Sequence, residues 1–266
     1  MRSVLCLVSL GMLMTVASTA SAQDFRVETD VFVGDEKKPI AETLTIFSGG
    51  RVYDFLLGGA SEIAIFDPGH GRFTLLDPAR KLQCTIANKE LLEYVLELNK
   101  AAIAQKVPLF VAAADPQFEV NAEGVGAGQA AKTKVTLASK LITYTATGKE
   151  PDQPTAADAF KQFADWYARL NAVRGGGPPG ARLALNRELA ERKLLPEEIV
   201  RVTIQPGLRG QKLEVRSVQS FIWALGVADR QKIEQAGDHL VNFQTVSFAE
   251  YRSAASKPAA EKTTKR

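Results

Sequence analysis

The sequence predicts an α+β fold: a curved antiparallel meander sheet of about 9–11 strands packed against three or four helices. Three observations carry this expectation. Between Asp24 and Ile86, short runs with period-two hydrophobicity follow one another, separated by glycine pairs, Asp-Pro corners or charged turns. Turns this closely spaced leave no room for crossover helices, so consecutive strands pair antiparallel. Segments starting at Asn88 and at Thr155 instead carry apolar residues at helical spacing.

The first strand is "DFRVETDVFVG", in which Phe25, Val27, Thr29, Val31 and Val33 alternate with Arg26, Glu28 and Asp30. "GDEKKP" (34–39) is a polar turn. "AETLTIF" (41–47), Gly49-Gly50, "RVYDFLL" (51–57), a second glycine pair, "EIAIF" (62–66), "RFTLL" (72–76) and "KLQCTI" (81–86) continue the meander. Asp67-Pro68 and Asp77-Pro78 mark two hairpin corners. There an aspartate oxygen can take a backbone N–H two residues on, the proline presets φ, and Gly69 and Gly71 supply positive φ where needed.

Asn88 is a good N-cap for a helix that places Leu91, Leu92, Val95, Leu98 and Ala102 on one face. A looser region follows, with a short strand expected at 117–120. "TKVTLAS" and "LITYTA" read as a hairpin around Ser139-Lys140. After Pro154, Thr155 and Asp158 nearly match a capping box, and Phe160, Phe163, Trp166, Tyr167 and Leu170 form a helical stripe, core-facing by its spacing. Asp165 and Arg169 are spaced as an i,i+4 ion pair. "GGGPPG" (175–180) is either a domain boundary or a helix–helix connection. A helix, "ARLALNRELAERKLL", then ends before Pro196. "EIVRVTI" pairs with "QKLEVRSV" across "QPGLRG", and a last helix near 228–240 carries Ile233, Ala236 and Leu240.

The N-terminus has the order of a secretory signal peptide: Arg2, the apolar "VLCLVSLGMLMTV", then "ASTASA" ending at Ala22. The apolar run is shorter than the roughly 20 residues a membrane span requires. We therefore expect a signal peptide at 1–22, one α+β domain at 23–252 and a disordered tail at 253–266. The mature chain would be periplasmic or extracellular and not transmembrane, its oligomeric state open. Cleavage would leave Cys84 as the one cysteine, so no intrachain disulfide is expected. Cys84 alternates in phase with Leu82 and Ile86 and is expected as a small buried side chain. The formal net charge is +3, from 33 basic and 30 acidic residues, with no basic stripe of the kind nucleic acid requires.

Catalytic signatures are absent. His70 and His239 are the only histidines; there is no G-x-S-x-G elbow and no H-E-x-x-H. No catalytic residue, metal ligand or cofactor is assigned on this basis. His239 sits near the end of the last helix, where a cation favours the helix dipole. His70 lies in "IFDPGHGRFTLLDPARK" and is expected at an exposed hairpin tip. A carboxylate and a second polar group converging on it would make it a site instead. "GVGAGQAAKT" (124–133) approaches a phosphate loop, but Ala131 occupies the position of the required glycine and a strand follows, so it reads as a surface loop.

"LLDPARK" (75–81), "FADWYARLNA" (163–172) and "PPGARLALNRELAERKLLP" (178–196) resemble stretches of uncharacterised secreted proteins of planctomycete-type bacteria, a resemblance that implies no activity. The order of signal peptide, strand meander, helix and further strands is similar to the LolA-like periplasmic lipoprotein carriers. That resemblance implies a half-open barrel whose helices close an apolar cavity for acyl chains. This chain departs from the pattern in starting on a strand and in inserting the helical region 155–195. The expected function is an exported binding or carrier module for an apolar, lipid-like ligand. Its cavity would be lined by strand residues of one phase (Tyr53, Phe55, Ile63, Ile65, Phe73 and Leu75), with Trp166 and Tyr167 from the helical stripe. The alternatives are a structural or interaction protein of the cell envelope, meeting a partner through its sheet edge or tail, and a hydrolase whose site carries no recognisable motif.

Overall fold

The computed structural model describes residues 24–58, 61–128, 131–205 and 210–255. The expected signal peptide and the tail beyond 255 lie outside them. Among the described residues one curved, unclosed sheet of 12 strands runs through the molecule. Its strands are β1 (Phe25–Val33), β2 (Ala41–Ser48), β3 (Arg51–Leu57), β4 (Ile63–Asp67), β5 (Arg72–Asp77), β6 (Leu82–Ala87), β7 (Glu119–Val125), β8 (Lys132–Ala138), β9 (Ile142–Lys149), β10 (Leu195–Ile204), β11 (Lys212–Ile222) and β12 (Gln244–Thr245). The helices are α1 (Asn88–Gln105), α2 (Pro108–Ala114), α3 (Pro154–Asn171), α4 (Gly180–Glu191), α5 (Val227–Asn242) and α6 (Phe248–Ala255).

The spatial order is β12-β6-β5-β4-β3-β2-β1-β11-β10-β9-β8-β7. The six-strand meander is as the sequence predicts. The join between its first strand and β11 is not, because it links residues nearly 200 positions apart: Arg26 lies across from Ile222 and Val33 across from Val215. Two antiparallel meanders thus become one sheet, with only the two-residue β12 parallel to its neighbour β6.

Alternation along the strands gives each half of the sheet a core. On one face of β1–β6, Phe25, Phe47, Val52, Phe66, Phe73, Leu75, Cys84 and Ile86 pack under α1 and α3. On the opposite face, Leu44, Ile46, Phe55, Ile63, Ile65 and Leu76 pack against Ala236, Ile233 and Leu240 of α5. β4 is buried on both faces along its whole length, which explains why "IAIF" shows no polar alternation. In the second half, Val135, Leu137, Ile142, Tyr144, Ala146 and Ile199 pack under α4, with Leu109 and Ala113 of α2 against them. Phe73 is fully enclosed, and truncating such a ring to alanine costs about 3–5 kcal/mol.

Several local expectations are corrected. The N-cap of α1 is Ala87, whose N–H donates to Glu90 Oε2 at 2.7 Å, and Asn88 is already helical. Leu92 does not join the buried face of α1 and is 48% exposed. The N-cap of α3 is Gln153, with Pro154 in the first turn and no side-chain cap from Thr155. Asp165 pairs with Lys161 at 2.7 Å rather than with Arg169, whose guanidinium stacks 4.8 Å over Trp166. "GGGPPG" falls in a π-helical turn (Ala172–Gly176) and the short link to α4, so it connects two helices. Residues 253–255, expected in the tail, continue α6. One expectation in this region holds: a strand, β8, begins at Lys132 after the glycine-rich stretch and pairs with β7. Close backbone approach explains one further glycine: a Cβ on Gly148 would collide with the Leu195 carbonyl, where a bulge at Pro196/Glu198 brings β10 against β9.

Candidate functional site

Between the N-terminal half of α3 and the helix-covered face of β1–β4 lies an apolar cleft of about 220 Å³. Phe25, Phe47, Val52 and Phe66 form its floor, and Ala156 and Ala159 of α3 its roof. The space exists because of residue size. Further along α3, Phe160 and Phe163 reach the sheet rings, with Phe163 5.8 Å from Phe47 and edge-on to it. At Ala156 and Ala159 the helix presents only methyl groups, and nothing fills the gap to Phe47 and Val52. Ser48, Gly50 and Arg51 of the β2–β3 turn and Pro68 of the first Asp-Pro corner form the rim.

One strand step inward from Phe47 and Val52 the same sheet face turns polar. Thr45 and Asp54 lie directly across from each other. Thr45 Oγ1 donates to Asp54 Oδ1 at 2.6 Å, and Tyr167 Oη of α3 donates to Asp54 Oδ2 at 2.7 Å. Arg174, from the π-helical turn, pairs with Glu62 and stacks over the Tyr167 ring at 5.8 Å. Tyr251 of α6 closes the cluster by donating to Glu62 Oε2 at 3.1 Å. Cys84 lies in the same core, its thiol pushed up to about 12 by burial and by the charge of Glu62.

This cluster holds one arginine between two carboxylates. Burial pushes the Asp54 carboxyl above its ordinary value; the hydrogen bonds from Thr45 and Tyr167 and the charge of Arg174 oppose that, and Glu62 adds to it. Burial likewise raises Tyr167 well above the usual phenol range, helped by Asp54. Every charged member has a partner. Chemically the cluster can hold or release one proton at Asp54, but neither Asp54 nor Glu62 borders the apolar cleft.

The two Asp-Pro corners prove to be one device used twice. Asp67 Oδ1 accepts the His70 N–H at 3.1 Å and its Oδ2 lies 2.9 Å from His70 Nδ1. Asp77 Oδ1 accepts the Arg80 N–H at 2.9 Å and its Oδ2 accepts Arg80 Nε at 2.7 Å. Both aspartates therefore reach three residues on, not two. Burial alone would raise Asp67, but the His70 ring and backbone, with Arg51 Nε 3.3 Å away, hold it below the usual carboxylate range. The carboxylate that would orient a catalytic His70 is thus present. The repeat at Asp77 and Arg80 shows what it does without any histidine: it closes a turn. His70 has a side chain 66% exposed and no hydroxyl or thiol bonded to it. Among the described residues no group of three or more His, Cys, Asp and Glu is placed to hold a metal ion.

No protein-family model and no curated protein matches this chain. Among solved structures it is similar to PNGF-II, with a TM-score of 0.36 and 9% identity over 88% of this chain and 33% of that one. It thus spans about a third of that structure's length. It is also similar to a LolA superfamily protein from Nitrosomonas europaea, with a TM-score of 0.24 and 4% identity over 78% of this chain and 88% of that one. Likenesses of this size carry over no residue.

The residues expected to line one cavity are divided by the sheet. Phe73 and Leu75 lie on the face beneath α3, and Trp166 and Tyr167 pack against that same core from α3. Tyr53, Phe55, Ile63 and Ile65 lie on the opposite face, beneath α5. The reason is register. The first Asp-Pro turn sets Asp67 across from Arg72, so Ile65 faces Thr74 and Ile63 faces Leu76. None of the eight borders the apolar cleft. Sequence reasoning missed the cleft's alanines, which look like ordinary helix formers. It also missed Asp54, whose signal was visible: a lone carboxylate inside the apolar run "VYDFLL".

Proposed function

We propose that this chain is an exported binding or carrier module that holds the apolar part of a ligand in the cleft under α3. The observation that carries this reading is the unfilled apolar space between the floor rings and Ala156 and Ala159. At about 220 Å³ it exceeds the roughly 150 Å³ of an engineered apolar cavity that stays dry and takes up benzene. It lies somewhat below the roughly 300–1,000 Å³ of a drug-sized site, which suits one hydrocarbon segment entering from the rim. The N-terminal pattern of residues 1–22 supports export, and no helix among the described residues is long and apolar enough to cross a membrane.

Native mass spectrometry of the purified protein should show a co-purifying or titratable lipid adduct. Ala159→Leu, which fills the cleft, should abolish the adduct while leaving the melting temperature within a few degrees. A bare protein mass that no fatty acid or phospholipid shifts would overturn the proposal. The envelope-interaction reading has its own support in the outer face of α1, where Leu92, Leu96 and Ile103 are 48%, 54% and 56% exposed. Analytical ultracentrifugation of the wild type and of Leu96→Glu separates the two: self-association lost in the variant, with no lipid adduct in either, favours interaction.

A further inference from the structure

We propose that a second cleft, bounded by the C-terminal end of α3, the start of α4 and strands β9 and β10, binds an oxyanion, a carboxylate or phosphate group, on Arg182 and Arg201. The cleft measures about 330 Å³ and both arginines border it. It does not depend on the apolar cleft, which lies toward the other end of α3.

Arg182 is the third residue of α4. Its Nε donates to Asn186 Oδ1 at 2.9 Å, which fixes the plane of the guanidinium. Asn186 in turn donates to Asp165 Oδ1 at 2.9 Å, and Lys161 occupies Asp165 Oδ2 at 2.7 Å. Asp165 is therefore hydrogen-bonded elsewhere and makes no ion pair with Arg182, although its charge still favours the guanidinium. The two terminal nitrogens of Arg182 have no hydrogen-bond or ion-pair partner among the described residues, and neither has Arg201.

Arg201 reaches this place by strand phase. It lies across from Tyr144 of β9 and shares its face with Ile199, which is buried under α4. Two guanidiniums thus share one partly dehydrated space, beside the Tyr144 ring, with no carboxylate in contact among the described residues. Four other partly buried arginines are paired with carboxylates: Arg26 with Asp229, Arg80 with Asp77, Arg174 with Glu62 and Arg192 with Glu188. The first turn of α4 contains no acid, and its positive end opens here, adding to the same sign. Burial pulls Arg182 below its ordinary value; the Tyr144 phenol and the charge of Asp165 oppose this, and the like charge of Arg201 adds to it. An anion held by the free edge of Arg182 and by Arg201 supplies what the protein omits, in the fork geometry that carboxylates and phosphates accept.

The test is thermal unfolding of the full chain in low-salt buffer, with inorganic phosphate, acetate or a short-chain alkyl phosphate titrated against chloride at matched ionic strength. Phosphate should raise the melting temperature in a saturable way that chloride does not. Arg182→Gln and Arg201→Gln should each weaken the response about tenfold or more, which corresponds to loss of one charge-assisted contact. Without added anion, Arg201→Gln should melt no lower than the wild type, because it relieves a like-charge pair. An alkyl phosphate binding more than tenfold tighter than inorganic phosphate would assign the site to an amphiphile's head group, and equal affinities to a free anion. Equal gains with phosphate and chloride, or a phosphate gain retained in the double variant, would overturn the proposal. So would an Arg201→Gln variant that melts well below the wild type yet responds fully to phosphate.

Discussion

Two charged clusters lie beneath the same layer of helices, and their charges are handled in opposite ways. Around Asp54, one arginine stands between two carboxylates, two tyrosines and a threonine, and every charged group has a partner. Around Arg182 and Arg201, two cations face open space with no carboxylate in contact. A satisfied cluster fixes how elements pack; here it ties α3, the π-helical turn and α6 to the sheet. An uncompensated one has stability to gain from a ligand. The difference teaches that the more deeply buried ionisable group is not thereby the better candidate for a binding site.

The comparison is broken most sharply by removing one arginine from each cluster. Arg174→Met should leave Glu62 without its countercharge and destabilise the protein by about 2–3 kcal/mol in urea unfolding. That is below the roughly 3–5 kcal/mol of a fully buried pair, since both side chains keep partial exposure. Arg201→Gln should have the opposite sign or none, so equal losses in the two variants would void the contrast.

Next in size is Tyr167→Phe, which removes the donor to Asp54 Oδ2 and should cost about 1–2 kcal/mol. Asp54 also makes the contrast depend on pH. Burial raises its folded value above the ordinary carboxylate value, so the stability contributed by its protonated form is fully present below about pH 4 and is lost as pH rises through the folded value. Asp54→Asn carries no such proton. Its stability relative to wild type should therefore climb between pH 4 and pH 8, as measured by urea midpoints. A constant difference across that range would show that Asp54 titrates normally.

The smallest effect belongs to the repeated corners. His70→Ala and Arg80→Ala should each change stability by no more than about 1 kcal/mol, because both aspartates keep the backbone N–H that closes the turn. Asp67 runs opposite to Asp54: its value is lowered, so its contribution is present above about pH 4 and is lost as pH falls through the folded value. A large loss in His70→Ala alone would mean that the first corner does more than turn the chain.

Much of this architecture is legible in the sequence. The six strands from Phe25 to Ala87 follow from period-two alternation and from glycine and Asp-Pro punctuation, both local properties of the chain. The stripe of α3 and the pairing of "EIVRVTI" with "QKLEVRSV" follow in the same way. Helix caps were legible only in part, since the caps of α1 and α3 are made without the side chains whose type marked them. Of the candidate sites, the apolar cleft was not legible at all, because an alanine over a gap and an alanine in a packed core read alike. Arg201 carried no signal in the sequence: along β10 Ile199 and Thr203 are buried, and Arg201 shares their face.

By itself the sequence determined where strands and helices form, where the chain turns, and that Cys84 is a buried small side chain, because propensity, periodicity and turn chemistry act within a few residues. Only the tertiary structure decided which strand phase faces which layer of helices, that β11 joins the two meanders at β1, that small residues leave a space under α3, and that two arginines share a cleft without a carboxylate. Each of these depends on register and on contacts between residues far apart in the chain, which no local pattern encodes.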